Sequence, residues 1–225
     1  SHELKTPLTS VRMFAEMLQQ GVASGDRDRE SRYHDIIVKE SERLGLLIAN
    51  LLDYSQVERG TRRYSTQVAS AAEIVRESVA TFGRFQDGSP AEVAVVDHGQ
   101  ADALVNVDRE VTIQCVLNLL SNAAKYGGGE HPITISLKSA DGMARISVRD
   151  RGPGIAKSEL AKIWDEFYRS PSAYSSGVEG TGLGLALVKR HVEAQGGAVD
   201  VESTSGEGAA FSIELPLVGG TKEEL

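Results

Sequence analysis

The most constraining feature of the sequence is an apolar seam with a heptad repeat between residues 33 and 54. Its members follow one another in steps of four and three: Tyr33, Ile37, Glu40, Leu44, Leu47, Leu51 and Tyr54. This spacing keeps one face of a long α-helix against a partner helix. Ile36, Ile48 and Leu52 widen the apolar stripe beyond the surface that one partner covers. The sequence therefore predicts a long helix with more than one helical neighbour.

One neighbour precedes it in the chain, where apolar residues recur at helical spacing from Leu4 to about Val22. The segment GVASGDRDRE then interrupts the pattern. We expect this hairpin to pair with a second copy of itself as a four-helix bundle, which makes the protein a homodimer. The alternative is a hairpin docked on the rest of its own chain, although short hairpins rarely bury so wide a stripe alone.

Composition limits the classes of protein that the chain can belong to. A hydrophobic content of 40% with 25% charged residues is typical of soluble globular proteins, and no apolar run approaches the length of a membrane span. The net charge of -8 argues against a sequence-independent nucleic-acid binder, which needs an excess of Lys and Arg. The single cysteine, Cys115, excludes an intrachain disulfide, and we expect it in the core.

After ERGTRRYST the pattern changes to a mixture of helical and strand-like segments, so we place a domain boundary near Arg63. The predicted domains are a helical hairpin over 1–63, a mixed domain over 64–218 and a short tail over 219–225. The mixed domain has predicted helices over 71–85, 108–126 and 184–195, and predicted strands over 91–97, 103–108, 131–139, 144–150, 198–205 and 208–217. The predicted fold class is α+β, with helices on one face of a mixed sheet.

The helix NLLSNAAKY carries the first candidate site. Asn118, Asn122 and Lys125 recur at four and three residues, so they share a face opposite a set of apolar residues. Amide oxygens and an ammonium group suit Mg²⁺ and a polyphosphate, because Mg²⁺ takes oxygen ligands and retains substrate phosphates in its shell. A solvated helix face remains the alternative for this helix alone.

Two glycine-rich segments point to the same chemistry. Asp150 directly follows a strand in DRGPGIA, where its carboxylate can accept a hydrogen bond from an exocyclic amine such as that of adenine. Gly152 and Gly154 in the same segment permit tight backbone turns. In GTGLGLALVKR, the glycines precede a helix whose N-terminal N–H groups favour phosphate oxygens. The ordered combination of these segments predicts a nucleotide site.

Five segments resemble, in order, the conserved boxes of sensor histidine kinases of two-component systems. SHELKTPL is similar to the phosphoacceptor box, NLLSNAAKY to the N box, DRGPGI to the first glycine box, IWDEFYRS to the F box and GTGLGLALVK to the second glycine box. The resemblance extends from Ser1 to about Leu217. It implies a dimerisation and histidine-phosphotransfer hairpin, joined to an ATP-binding domain of the Bergerat (GHKL) type.

The resemblance also implies roles for individual residues, with ATP and Mg²⁺ as cofactors. Asn122 is the implied Mg²⁺ ligand, Tyr126 lies against adenine and Asp150 accepts from the adenine amine. The full set of implied nucleotide-binding residues is Asn118, Asn122, Lys125, Tyr126, Asp150, Gly152, Gly154, Ile155, Gly180, Thr181, Gly182, Leu183 and Gly184. The segment from about Lys157 to Glu179 is the implied ATP lid, and Trp164 stands where the F box usually begins with phenylalanine.

The implied catalytic residues are His2, Glu3, Thr6 and Arg169. His2 accepts the γ-phosphoryl group as a neutral imidazole, and Glu3 holds the other ring N–H. Pro7 lacks the N–H that would bond the carbonyl of Glu3, so we expect a kink beside His2; the alternative is that Pro7 marks a first helical turn and His2 lies in a frayed terminus. Thr6 matches a family position that orients water for dephosphorylation of the partner, with a solvent-facing threonine as the alternative. Arg169 neutralises the γ-phosphate or is a surface arginine.

One residue type separates two activities within this superfamily. GHKL ATPases such as gyrase carry a glutamate, which activates water, four residues before the Mg²⁺-binding asparagine, whereas this chain has Asn118. An amide cannot take a proton from water, so transfer to His2 is favoured over hydrolysis. The resemblance implies further transfer to an aspartate of a response-regulator receiver domain. A catalytically silent, ATP-occupied scaffold and a GHKL ATPase are the alternatives.

The resemblance also bears on the context of the chain. It begins within an apparent helix, without an initiator Met or a signal peptide, so we interpret it as part of a longer protein whose upstream sensor or linker segment is absent here. The implied location is cytoplasmic, as the soluble portion of a membrane-anchored sensor kinase.

Overall fold

The computed structural model describes residues 2–22, 25–84, 92–97, 103–127, 131–171, 173 and 180–219, with the side chains of residues 2–4, 43, 46 and 97 also outside the description. The chain divides into two compact units, Ser1–Thr61 and Arg62–Leu225. The boundary that the sequence predicts, Arg63, lies near this division. Phe85, most of the segment SPSAYSSGVEG and the tail from residue 220 onward lie outside the described residues.

Unit 1 is a hairpin of two helices, α1 (His2–Gln19) and α2 (Arg27–Glu58). Helix α1 ends at Gln19, slightly before the end of the apolar pattern at about Val22, because the backbone of Gly21 turns to a φ of 70° and Val22 N–H bonds back to Met17 O at 3.1 Å. The carboxylate of Asp26 caps α2 by accepting from Arg29 N–H at 3.0 Å. No described helix of the chain combines the length and the apolar character needed to cross a bilayer.

The hairpin leaves much of its apolar stripe uncovered in a single chain. Val38 and Leu52 are 55% and 59% exposed, and both lie on α2. Among the described side chains of the unit, the other exposed large apolar residues are Leu8, Met13, Val22, Ile48 and Leu51. Tyr54, at the end of the predicted seam, is buried. Exposed apolar patches of this kind commonly mark sites of protein–protein interaction.

Unit 2 is a layer of helices on one face of a sheet, as predicted. Its elements are β1 (Gln67–Ser70), α3 (Ala71–Arg84), β2 (Val93–Asp97), β3 (Leu104–Val107), α4 (Arg109–Tyr126), β4 (Ile133–Ala140), β5 (Met143–Arg149), α5 (Gly184–Ala194), β6 (Ala198–Thr204) and β7 (Gly208–Pro216). Within the described residues, the main sheet has the order β2-β4-β5-β7-β6. Strands β2 and β4 run parallel and the other neighbours run antiparallel, so the sheet is mixed.

The two faces of the sheet differ because apolar and polar residues alternate along its strands. Ile135 pairs with Val148, and both are buried under the helices. On the opposite face, Arg145 of β5 lies within 3.2 Å of the Asp200 carboxylate and within 2.5 Å of the Glu214 carboxylate. This alternation directs the core to one face and places α4 and α5 side by side over it. Strand β1, which pairs with β3, was missed by the sequence prediction.

The first residues of unit 2 are held to the ends of both central helices. The Tyr64 hydroxyl lies 3.0 Å from Nδ1 of His191, which is only 3% exposed on α5. Ser65 N–H donates to Asp108, the N-cap of α4, at 2.9 Å. The side-chain oxygen of Gln195 accepts from Asp108 N–H at 2.6 Å. The backbone that leads into unit 2 is therefore fixed to the N-terminus of α4 and the C-terminus of α5.

We expect Tyr64→Phe to lower the free energy of unfolding of unit 2 by about 0.5–1.5 kcal/mol, since a hydrogen bond to a buried imidazole is lost while the ring is retained. The single tryptophan, Trp164, lies in unit 2, so urea titration of the full chain monitored by its fluorescence measures this change. Tyr33→Phe is the matched control, because its hydroxyl bonds the exposed Arg29 in unit 1. Equal fluorescence midpoints for Tyr64→Phe and the unmodified chain would contradict the assignment.

Candidate nucleotide-binding site

Helix α4 supplies the polar face that its sequence predicts. Asp108 caps its N-terminus by accepting from Val111 N–H at 3.2 Å. Asn118 and Asn122 are partly exposed and Lys125 is exposed. The residues on the other side of the helix, Val116, Leu119, Leu120 and Ala123, are at most 2% exposed. The packing of this apolar side on the sheet orients both amides away from the core.

The Asp150 carboxylate lies at the end of β5 and is only 5% exposed. Its Oδ1 accepts from Gly152 N–H at 2.8 Å and from Ala209 N–H at 3.3 Å. Burial raises the pKa of Asp150, and these two backbone donors oppose that rise. Both of these hydrogen bonds reach Oδ1, and neither involves Oδ2. An oxygen held in this way can accept a hydrogen bond from a ligand.

The loop after Asp150 packs against the C-terminal end of α4. A methyl group placed on Gly152 would overlap the carbonyl oxygen of Tyr126, and one on Gly127 would lie 3.3 Å from Cβ of Asp150. Only a hydrogen fits at Gly152 without displacing this backbone. The predicted N box and first glycine box therefore form one continuous surface.

The second glycine box meets the same helix from another direction. A methyl group on Gly184, the first residue of α5, would lie 3.9 Å from Oδ1 of Asn118. Leu183 is the N-cap residue of α5, and its side chain makes no hydrogen bond to the first N–H groups of the helix. Thr181 Oγ1 accepts from Leu183 N–H at 3.1 Å. The Leu183 side chain is buried, whereas a methyl group on Gly180 would meet no neighbour within 4 Å.

The predicted F box joins the second glycine box. Phe167 N–H donates to Gly182 O at 3.1 Å, and Gly182 has a φ of 70°. Trp164 packs edge-on against Phe211 with ring centroids 5.9 Å apart, so it retains the aromatic anchor expected at this position. Arg190 of α5 forms an ion pair with Glu166. These contacts fix the start of the implied lid to α5.

Arg169 lies close enough to Tyr126 for its charge to act on the phenol. Burial raises the pKa of Tyr126, and the positive charge of Arg169 partly opposes this effect. Both residues are partly exposed. Tyr126 at the end of α4 and Arg169 of the F box thus lie on the same side of the site.

The catalytic residues predicted in unit 1 are placed only in part. His2 and Glu3 lie in the first turn of α1, with side chains outside the described residues. Thr6 is exposed and Pro7 is buried, and the helix continues through Pro7. The N box, both glycine boxes and the F box, by contrast, contact one another within unit 2.

Sequence reasoning missed the residues of the β6–β7 turn that contact Asp150 and the loop after it. Ala209 N–H binds its carboxylate, and a methyl group on Gly208 would overlap the carbonyl oxygen of Asp150. Ser203 accepts from Ile155 N–H at 2.9 Å. The spacing of Ser203, Gly206 and Gly208 indicates a turn, but no local pattern shows which loop that turn contacts.

The donor set limits the way in which a cation can bind. Across the part of the chain that the structure describes, there is no group of three or more His, Cys, Asp or Glu residues that could hold a metal ion. Two neutral amides and a lysine on α4 suit a cation that takes most of its ligands from phosphates and water. The residues therefore fit Mg²⁺ delivered together with a polyphosphate.

Comparison with known proteins identifies the family of each unit. Residues 107–219 match the family described as histidine kinase-, DNA gyrase B- and HSP90-like ATPases. Residues 1–60 match the His Kinase A (phospho-acceptor) domain.

Individual relatives and solved structures resemble both units together. The sensor histidine kinase WalK of Bacillus subtilis is 33% identical over 219 residues, which are 96% of this chain and 35% of WalK. The crystal structure of full-length ShkA with AMPPNP has a TM-score of 0.72 at 25% identity, and the match covers 96% of this chain and 44% of ShkA. The crystal structure of the histidine kinase ThkA with the response regulator TrrA has a TM-score of 0.74 at 22% identity over 98% of this chain and 60% of ThkA, a likeness of fold.

The chain thus spans 35% of the length of WalK and 44% of that of ShkA. Both family matches agree with the two units in order and in position along the sequence. On these matches, the chain belongs to the sensor histidine kinases of two-component systems.

Proposed function

We propose that the chain is an ATP-dependent protein-histidine kinase core, which phosphorylates His2 and passes the phosphoryl group to an aspartate of a response regulator. The observation that carries the proposal is the convergence of three segments in unit 2. Asp150, the C-terminal half of α4 and the uncapped N-terminus of α5 surround one region. These groups suit a base, a metal-bound polyphosphate and a phosphate, respectively.

Adenine recognition is assigned to Asp150. Its Oδ1 is occupied by two backbone N–H groups, so Oδ2 is the oxygen that accepts from the exocyclic amine. Tyr126, at the end of α4, lies against the base, and the backbone at Gly152 and Gly154 permits close approach. Ile155 completes this side of the site.

Phosphate and metal binding are assigned to the opposite side. Asn122 is the proposed Mg²⁺ ligand, with Asn118 and Lys125 near the phosphates. When bound, Mg²⁺ neutralises phosphate charge and orients the γ-phosphoryl group. Backbone N–H groups between Gly180 and Gly184, where α5 begins, bind phosphate oxygens, except that of Leu183, which already donates to Thr181 Oγ1. Arg169 adds a positive charge from the F box.

The transfer step requires an in-line nucleophile more than a strongly basic one. One imidazole nitrogen of His2 forms a bond to the γ-phosphorus while the bond from that phosphorus to the β,γ-bridging oxygen breaks, and ADP leaves with the electron pair. Glu3 accepts a hydrogen bond from the other ring N–H and stabilises the positive charge that develops on the ring. Transfer to the aspartate of the regulator then restores the imidazole, and Thr6 orients water if the regulator is dephosphorylated.

Two partners follow from the comparisons and from the hairpin. The solved complex of ThkA with the response regulator TrrA supports a receiver domain as the second substrate. The exposed apolar stripe of α1 and α2 supports a homodimer through the hairpin. Because the chain spans part of its relatives, we place it after a sensor or linker segment, on the cytoplasmic side of a membrane-anchored kinase.

Incubation of the full chain with γ-³²P-labelled ATP and Mg²⁺ tests the proposed activity. We expect an acid-labile, base-stable phosphohistidine that disappears in His2→Gln and on chelation of Mg²⁺. His34→Gln is the matched control, since His34 is exposed on the other helix of the hairpin and should label normally. Full labelling of His2→Gln, or an unlabelled chain that nevertheless binds ATP, would contradict the proposal.

Asp150→Asn separates nucleotide binding from folding. We expect ATP affinity in isothermal titration to fall at least about 10-fold, because an amide nitrogen in place of Oδ2 cannot accept from the adenine amine. The amide oxygen still accepts from Gly152 and Ala209. Asp141→Asn is the control, since Asp141 lies in an exposed turn with a φ of 52° that asparagine also tolerates.

The pH dependence of stability follows from the raised pKa of Asp150. A carboxyl group whose pKa is higher in the folded state stabilises the fold fully below its unfolded pKa of about 3.9, and this contribution is lost as pH rises through the folded pKa. Without nucleotide, Asp150→Asn should therefore match or exceed the unmodified chain in unfolding free energy at pH 7 to 8, and the difference should shrink towards pH 4. Normal ATP binding by Asp150→Asn would refute the assignment of adenine recognition to Asp150. So would a difference in unfolding free energy, measured without nucleotide, that grows in favour of Asp150→Asn as the pH is lowered.

The dimer proposal predicts different effects at two exposed apolar positions. Leu52→Glu should raise the dimer dissociation constant at least about 10-fold, because a carboxylate would be buried in an apolar seam. Val218→Glu, at a 49% exposed position of unit 2, should leave the dimer dissociation constant unchanged. Sedimentation velocity over a range of concentrations measures both. A monomeric unmodified chain at all concentrations, or equal effects of the two substitutions, would count against the dimer.

A further inference from the structure

The turn between β6 and β7 holds the loop that carries Asp150. Ser203, in β6, accepts from Ile155 N–H at 2.9 Å and donates to Gly208 O at 2.7 Å. One partly buried hydroxyl therefore joins the end of the loop to the opposite side of the turn. Loss of this hydroxyl removes the bonds at a backbone donor and a backbone acceptor together.

Backbone contacts complete the junction between the turn and the loop. Gly206 N–H donates to Pro153 O at 2.7 Å, and Asp150 N–H donates to Ala209 O at 2.9 Å. Gly154 has a φ of 67°, and a methyl group there would overlap the carbonyl oxygen of Thr204. The loop from Asp150 to Ile155 is thus held against the turn at both ends and in the middle.

Among the residues that the structure describes, Ser203 is the one side chain of the turn that forms a hydrogen bond with this loop. The other hydrogen bonds between the two segments come from the backbone or from Asp150 itself. A backbone bond persists in any side-chain variant, whereas the bond of Ser203 does not. Substitution at this residue therefore loosens the loop without removing a group that would touch the nucleotide.

We propose that Ser203 is a positioning residue that sets the discrimination between adenine and guanine nucleotides. The proposal rests on the function proposed for Asp150. Adenine presents an amine donor at C6, where guanine presents a carbonyl acceptor. A carboxylate that cannot move accepts from the adenine amine and repels the guanine oxygen. If the loop can shift, the carboxylate no longer holds the position that suits the adenine amine, so binding of adenine weakens more than binding of guanine and discrimination falls.

Titration of ATP and GTP into the full chain and its Ser203 variants tests the inference. For Ser203→Ala we expect ATP affinity to fall about 3- to 10-fold with GTP affinity changed less than about 2-fold, because the hydrogen bond from the adenine amine to Asp150 weakens. Ser203→Thr keeps the hydroxyl and should restore the ATP-to-GTP ratio. Ser203→Cys, with a weaker donor and acceptor, should lie between the two and replaces Ser203→Ala if that variant does not fold.

Ser147→Ala is the matched control, because the Ser147 hydroxyl bonds Ser212 within the sheet instead of the loop. It should lower stability without changing the ATP-to-GTP ratio. The labelling rate of Ser203→Ala at saturating ATP should stay within about 2-fold of the unmodified chain, since the hydroxyl does not touch the phosphates.

An unchanged ratio in Ser203→Ala, or the same shift in Ser147→Ala, would overturn the inference. Its failure is distinguishable from failure of the proposed function. If the unmodified chain binds no ATP, the proposed function fails. If it binds ATP, depends on Asp150 and is indifferent to Ser203, only the present inference fails.

Discussion

The buried carboxylate of Asp150 is the interaction on which the nucleotide site depends. Taking a carboxylate out of water is costly unless hydrogen bonds compensate, and here Gly152 and Ala209 supply them. These donors come from the loop after β5 and from the start of β7, so the carboxylate joins two strands that are neighbours in the sheet. The raised pKa of Asp150 indicates that burial outweighs this compensation. We propose that this costly burial of Asp150 holds a hydrogen-bond acceptor in place for a ligand.

The rest of unit 2 provides the rigid frame that this carboxylate requires. Buried residues of β4, β5 and β7 pack under α4, whose opposite side carries Asn118 and Asn122. The same core supports α5, whose first residue lies against Asn118. The proposed base-binding group at the end of a strand and the proposed phosphate-binding groups on two adjacent helices are thus positioned by one hydrophobic core.

Periodicity and spacing predicted the parts of this arrangement that depend on local sequence. The four- and three-residue steps of Asn118, Asn122 and Lys125 predicted a polar face, and the buried side of α4 is the apolar set that the sequence indicates. The hairpin was also predicted, although α1 ends at Gln19 because Gly21 takes a left-handed conformation. The roles assigned to His2 and Glu3 stay predictions, since their side chains lie outside the described residues.

Features that arise from non-local pairing were not predictable from one sequence. Strand β1 has four residues and pairs with β3, some thirty-five residues later in the chain. The bonds from Ala209 to Asp150 and from Ser203 to Ile155 also join segments far apart in sequence. Leu183 lies in a recognisable motif, yet its side chain is buried, its N–H donates to Thr181 Oγ1 and its carbonyl oxygen accepts from Leu187 N–H.

We propose that unit 2 donates phosphoryl groups instead of hydrolysing ATP, because the family resemblance puts Asn118 where related ATPases carry a water-activating glutamate. The most direct measurement compares ADP with inorganic phosphate after the full chain is mixed with ATP and Mg²⁺. We expect ADP formation up to about one equivalent per phosphorylated His2, with little free phosphate. Continuous phosphate release that proceeds at the same rate in His2→Gln would contradict it.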